Sequence, residues 1–182
     1  EDLPQHKVHR IFQELMYGDS PYGWSIIGPK ENIRKLTRDD LLEYRKRHYV
    51  AGKTTIVVAG NLEEKEVFNK IEEAFKDIPK GEIVKKKKVT QKQSIPQLKI
   101  SERKTDQIHL VMGVRAFDLY DKRMPALKVL STALGAGMSS RLWQKMREEL
   151  GICYYVGSGI TDMSDHGSFI IVAGVDTNRL DM

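Results

Sequence analysis

Two histidines, His6 and His9, stand three residues apart in a segment with helical spacing, a separation that lets two imidazoles share a metal ion. No His-x-x-Glu-His pattern accompanies them, so solvated surface histidines are the simpler reading. His109 belongs to a strand-like stretch, on the face opposite Ile108 and Leu110. His48 closes a helix candidate, where a cationic side chain suits the dipole. Nucleophiles are as sparse. The single cysteine, Cys153, lies in an apolar strand, where an inert buried thiol is usual, and one cysteine excludes an internal disulfide. There is no Gly-x-Ser-x-Gly elbow, and Gly157-Ser158-Gly159 reads as a Gly-rich strand, with a bulge as one option. Gly135-Ala136-Gly137 resembles part of a phosphate loop. It lacks a following Gly-Lys-Ser/Thr and does not lie between a strand and a helix, which argues against nucleotide binding.

The segment from Gly135 to Val156 holds the remaining chemistry. Ser139 or Ser140 can cap a helix reaching about Leu150, and Gly151 stops it. Leu142, Trp143, Met146 and Leu150 form a core stripe. At about 100° per residue, Arg147 falls roughly 40° beyond Trp143, on the rim of that stripe. A rim arginine can snorkel or meet a nearby carboxylate. Tyr154 follows in a strand, seven residues on, and by itself is an ordinary strand aromatic.

The elements that must position these groups alternate along the chain. A helix is expected from about Pro4 to Tyr17, with Val8, Ile11, Phe12, Leu15 and Met16 on one face, and Gly18-Asp19-Ser20-Pro21 ends it. Thr37 and Asp40 mark the start of a helix reaching His48, with Leu36 and Leu41 placed as a hydrophobic staple. Thr54–Ala59 reads as a buried strand, and residues 63–76 as an amphipathic helix bearing Val67, Phe68, Ile71 and Phe75. Leu98–Glu102 and Gln107–Val114 read as strands. A helix from Pro125 to Leu134 buries Leu127, Leu130 and Leu134. Two last strands run over Ile152–Thr161 and Gly167–Val175, separated by a turn at Asp162–His166. Helices mixed with antiparallel strands predict an α+β class.

Bulk properties narrow the function classes. The net charge is +5, and the run Lys85-Lys86-Lys87-Lys88 supplies most of it. A nucleic-acid binder spreads its basic residues over a face, so this run reads as a solvated linker. No apolar run of 18 residues occurs, and no membrane span is expected. The chain opens Glu1-Asp2-Leu3-Pro4, without an initiator Met or an apolar leader, which suggests that it is cut from something longer.

Several ordered motifs resemble the insulinase and mitochondrial-processing-peptidase family of pitrilysin-like zinc peptidases. Residues 135–156 resemble that family's Gly-Gly-Met-Ser-Ser-Arg-Leu-(x)4-Arg-Glu-(x)2-Gly-Leu-(x)-Tyr signature. Glu1-Asp2-Leu3-Pro4-Gln5 is similar to the stretch after its third zinc ligand. Ser20-Pro21-Tyr22-Gly23 resembles its His-Pro-Leu-Gly loop, with Ser20 in place of the usual His. Tyr49–Lys53 followed by Val58-Ala59-Gly60-Asn61 resembles its helix and Val-Ala-Gly-Asn strand.

The resemblance implies parts of two repeated α/β-sandwich domains, with antiparallel sheets covered by helices. Residues 1–84 would be the C-terminal part of the first (zinc) domain, 85–96 a basic linker, and 97–182 the N-terminal part of the second. It implies a zinc-dependent endopeptidase acting on unfolded peptides or presequences. The zinc ligands would lie upstream of residue 1, so that this chain holds no metal and is inactive alone. Arg147 and Tyr154 match the family's second-domain arginine and tyrosine that reach the substrate. The alternative is a non-catalytic peptide-binding or structural subunit of the same fold. Homodimers and heterodimers both occur in the family. A bacterial-type cytoplasmic protein is the expectation for location, with peptides rather than nucleic acid as partners.

Overall fold

In the computed structural model, residues 3–83, 85–89 and 93–180 are described. They divide into two compact units. One comprises residues up to Ile26 together with those from Lys88 onward; the other comprises Ile27–Lys87. Part of the expected linker, residues 90–92, and the first two residues of the Glu1–Gln5 motif lie outside the described residues.

The larger unit is built on a three-stranded antiparallel sheet in the order β1-β3-β2, with β1 Gln107–Ala116, β2 Cys153–Asp162 and β3 Gly167–Asp176. The turn expected between the last two strands is present, so β2 and β3 form a hairpin. The core lies on one face of the sheet. Cys153, Val156, Ala173 and Val175 are buried there, and Leu110, Leu142, Trp143 and Met146 pack against them. Burial of these side chains removes apolar surface from water and is the main force holding the helical layer to the sheet.

Two helical elements cover that face. The first, α5 (Met124–Gly135), carries Pro125 in its first turn and buries Met124, Ser131 and Gly135. The expected stripe through Leu130 is shifted, because Leu130 is half exposed while Ser131 turns to β2. There the Ser158 hydroxyl donates to the Ser131 carbonyl at 2.7 Å. Gly135 lets the helix approach this closely: a Cβ would lie 2.2 Å from the Ser158 backbone nitrogen. Gly135 is thus a packing device at the helix end, while Gly137, at φ +92 with open space around it, serves the turn that follows. The second element is the segment that bears Arg147.

Helix α1 (Pro4–Tyr17) matches expectation, and Gly18 follows it at φ +54. It meets β1 through Arg115, whose guanidinium donates to the Met16 carbonyl. Between them runs an apolar groove of about 740 Å³, lined by Val8, Ile11, Phe12 and Leu15 and by Leu110 and Met112. Leu98–Glu102, expected as a strand, has no ladder hydrogen bonds and is irregular.

The smaller unit contains α2 (Lys30–Lys35), α3 (Arg38–His48) and α4 (Glu64–Phe75). The capping box at α3 is present: Asp40 N–H donates to Thr37 Oγ1 at 3.3 Å, and Thr37 N–H donates to Asp40 Oδ2 at 2.8 Å. The Thr37 hydroxyl also donates to Asp40 Oδ2, at 2.7 Å; that bond first, and then the one from Thr37 N–H, hold the Asp40 carboxyl below the usual carboxylate range. Leu36 and Leu41, the expected staple pair, are 55% and 60% exposed, so they add little buried apolar surface. Short α2 was not expected. Thr54–Ala59, expected as a buried strand, is exposed and unpaired, with Val57 84% exposed. Its β-branched residues favour extended backbone, but a strand exists only where a neighbour completes the ladder. On α4 no residue is fully buried: Phe68 and Phe75 are exposed, and Val67 and Ile71 are half-buried. Val50 is the one buried hydrophobic residue among the described residues of this unit.

Candidate functional site

Arg147 does not sit on the α-helix that the spacing predicts. The segment begins with an α-helical turn at residues 141–142 and widens into a π-helix over Trp143–Glu149. The i→i+5 pattern shows in Leu150 N–H donating to the Lys145 carbonyl at 3.1 Å. Ser140 does not cap the helix as an acceptor; its hydroxyl donates to the Gly137 carbonyl at 2.7 Å. Gly151, at φ +59, ends the segment as expected and turns the chain into β2.

The wider turn changes which side chains meet. Glu148, five residues after Trp143, accepts a hydrogen bond from Trp143 Nε1 at 3.0 Å. Arg147, four residues after Trp143, places its guanidinium carbon 4.9 Å from the Trp143 ring centroid, a cation–π contact. An Arg147 N–H also donates to the backbone carbonyl of Tyr154. Helical periodicity places Trp143 in the core stripe, where it packs, but its ring also serves Arg147. Its four-residue spacing to Arg147 was the signal for the stacking contact.

Tyr154 is set apart by the sheet. Cys153 pairs with Val175 and Tyr155 with Gly174, so Tyr154 is an extra residue opposite one step of β3. This is a β-bulge, a device that re-aims a side chain at a strand end. The bulge falls here and not at Gly157-Ser158-Gly159, whose residues pair in register. Its consequence is that two adjacent tyrosines differ in role. Tyr154 is 54% exposed. Tyr155 packs over Gly174, where a Cβ would lie 2.3 Å from the ring, and its hydroxyl lies 2.9 Å from His109 Nδ1. Burial raises the Tyr155 phenol above its ordinary value.

Cys153, just before the bulge, is buried as expected. Burial pushes its thiol up, and the nearby Arg147 charge opposes that only in part. The site is thus a cationic and phenolic donor pair beside a protonated thiol. It contains no nucleophile or base arranged for its own covalent chemistry.

No zinc site assembles from these residues. Among the described residues, no group of three or more His, Cys, Asp or Glu side chains could hold a metal ion. His6 and His9 lie at the surface; partial desolvation of the His9 imidazole by its neighbours, and then the proximity of His6, lower its pKa. The donor set does not fit a resident zinc ion.

The profile of the family described as the peptidase M16 inactive domain matches residues 35–182. The chain belongs to this M16 family. Relatives of this M16 chain include an uncharacterized zinc protease of Streptomyces coelicolor, 32% identical over 180 residues, covering 96% of this chain and 39% of the relative. An uncharacterized zinc protease of Bacillus subtilis is 32% identical over 185 residues, covering 99% of this chain and 43% of the relative. The M16 chain therefore spans about two fifths of the length of these curated relatives. Among solved structures, the peptidase M16 inactive domain from Pseudomonas fluorescens superposes with a TM-score of 0.80 at 23% identity. That match covers 95% of this chain and 42% of the other. A protease from Helicobacter pylori gives 0.74 at 21% identity, covering 96% and 43%. These likenesses establish the α+β fold that the sequence predicts. No helix among the described residues is long and apolar enough to cross a membrane.

Proposed function

We propose that this chain supplies the substrate-contacting donors of a zinc-dependent endopeptidase whose metal is held by residues outside it. On this reading residues 1–84 complete a first, metal-binding domain, and residues 97–182 open a second that reaches the substrate. The substrates are unfolded peptides or presequences. One observation carries the reading: Arg147 is fixed to the carbonyl of a bulged, exposed Tyr154. That arrangement brings a phenolic O–H and a guanidinium to one corner of the sheet.

Both groups are donors suited to peptide carbonyls. When a scissile carbonyl becomes tetrahedral, negative charge gathers on its oxygen. The Tyr154 O–H can donate to that oxygen, and the N–H groups of Arg147 that do not face Tyr154 can hold a neighbouring peptide carbonyl. A donor of this kind contributes roughly 10²-fold or more in rate. The zinc proteases of Streptomyces coelicolor and Bacillus subtilis support a peptidase as the whole protein.

The test is Tyr154→Phe in the full-length protein. Turnover of an unfolded peptide should fall roughly 10²-fold, with zinc content and thermal midpoint unchanged. Wild-type turnover in this variant sinks the reading. A second reading, a non-catalytic subunit that binds peptides or neighbours of the same fold, is favoured by the description of the matched family as an inactive domain. It predicts peptide binding without cleavage by the full-length protein.

A further inference from the structure

The two residues of the proposed site do not stand alone. Arg147 is exposed, and an exposed arginine samples many rotamers unless something holds it. Here its guanidinium has two fixed neighbours: the Trp143 ring, 4.9 Å away, and the Tyr154 carbonyl. The indole is itself anchored. One side of Trp143 packs against the buried cluster around Cys153 and Val156, and its Nε1 donates to Glu148 at 3.0 Å. The π-helical turn makes this chain of contacts possible, because it brings the residue at i+5 within reach of the indole nitrogen.

We infer that Trp143 is a positioning residue for Arg147, with Glu148 locking the indole plane so that the guanidinium is pre-set beside Tyr154. The inference rests on the substrate role proposed above for Arg147. Trp143 itself touches no substrate. Its contribution is to spare Arg147 the ordering cost at the moment of binding, which raises the rate when the held geometry is the one the transition state needs. A cation over an indole at a partly exposed site is a weak contact, so the effect is moderate.

A double-mutant cycle in the full-length protein tests this. Trp143→Leu should lower kcat roughly three- to ten-fold, while Trp143→Phe, which keeps an aromatic face, should recover most of the loss. In an Arg147→Ala background, Trp143→Leu should lower kcat no further. Equal fold losses in both backgrounds mean that Trp143 acts only through the core, and overturn the positioning role while leaving the role of Arg147 intact. If Arg147→Ala alone leaves kcat unchanged, the substrate role of Arg147 fails and the positioning role with it. Should Trp143→Leu fail to fold, Glu148→Ala supplies the cycle from the exposed side. It should lower kcat about two-fold in the wild-type background and not at all with Arg147→Ala. A loss in both backgrounds, or in neither, overturns the inference.

Discussion

Arg147 donates its guanidinium N–H to the backbone carbonyl of Tyr154, the extra residue of a bulge in β2. The contact joins a π-helical turn to a strand irregularity. Each is a departure from regular structure by one residue, and together they bring a cation and an exposed phenol to one corner of the sheet. Departures of this kind weaken local hydrogen bonding and tend to occur where function needs a particular geometry.

Arg147→Lys distinguishes geometry from charge. Lysine keeps the positive charge but loses the planar fork that faces the Tyr154 carbonyl and stacks on Trp143. In the full-length protein, kcat/KM for an unfolded peptide should fall about ten-fold, chiefly through kcat. A lysine variant as active as wild type would show that charge alone suffices.

Gly135→Ala probes the seat of α5 on the sheet. A methyl group there would press on the Ser158 nitrogen at 2.2 Å and on Ser158 Oγ at 2.6 Å, so the helix end must lift from β2. Backbone cannot yield as a flexible side chain can, and the expected cost is about 1–3 kcal/mol. Denaturant unfolding of the full-length protein reads the change. An unchanged midpoint would mean that the helix end can move freely.

The sequence made some of this legible and hid the rest for physical reasons. The α1 stripe, the Thr37–Asp40 cap and the Gly151 stop are local signals, and each appears in the structure. Arg147 and Tyr154 were found by an ordered motif, not by their own chemistry. Their joining could not be read from periodicity, because an insertion of one residue in a helix turn or a strand leaves no mark on composition. Thr54–Ala59 failed for a different reason. Its propensity for extended backbone is strong, but pairing is a property of two segments, and no described segment pairs with it. His166 was read only as part of a turn, yet it is buried against Tyr17 and Tyr22, a consequence of distant packing.

Cys153 offers a prediction in pH. Its folded thiol ionises at a higher pH than the unfolded one, because burial disfavours the thiolate. Less thiolate is therefore present in the folded protein near pH 8, and a disulfide reagent should react only as fast as local opening exposes it. The same sign means that raising the pH through the unfolded value favours unfolding, since only the unfolded chain then gains the ionisation. Rapid stoichiometric labelling under native conditions would contradict the burial of this thiol.

Removing Tyr154 altogether separates the bulge from the fold. In β2, Cys153 pairs with Val175, Tyr155 with Gly174 and Val156 with Ala173. With Tyr154 deleted, Cys153, Tyr155 and Val156 become consecutive and can keep those partners in regular alternation. The apolar residues Cys153 and Val156 stay on the core face, and Tyr155 stays over Gly174 beside His109. The deletion is thus expected to fold, with a thermal midpoint at or near that of the full-length protein. It removes the exposed phenol and the carbonyl that Arg147 holds, so peptide turnover should fall at least as far as in Tyr154→Phe. A deletion that folds and cleaves at the wild-type rate would show that the bulge serves the sheet and not the substrate.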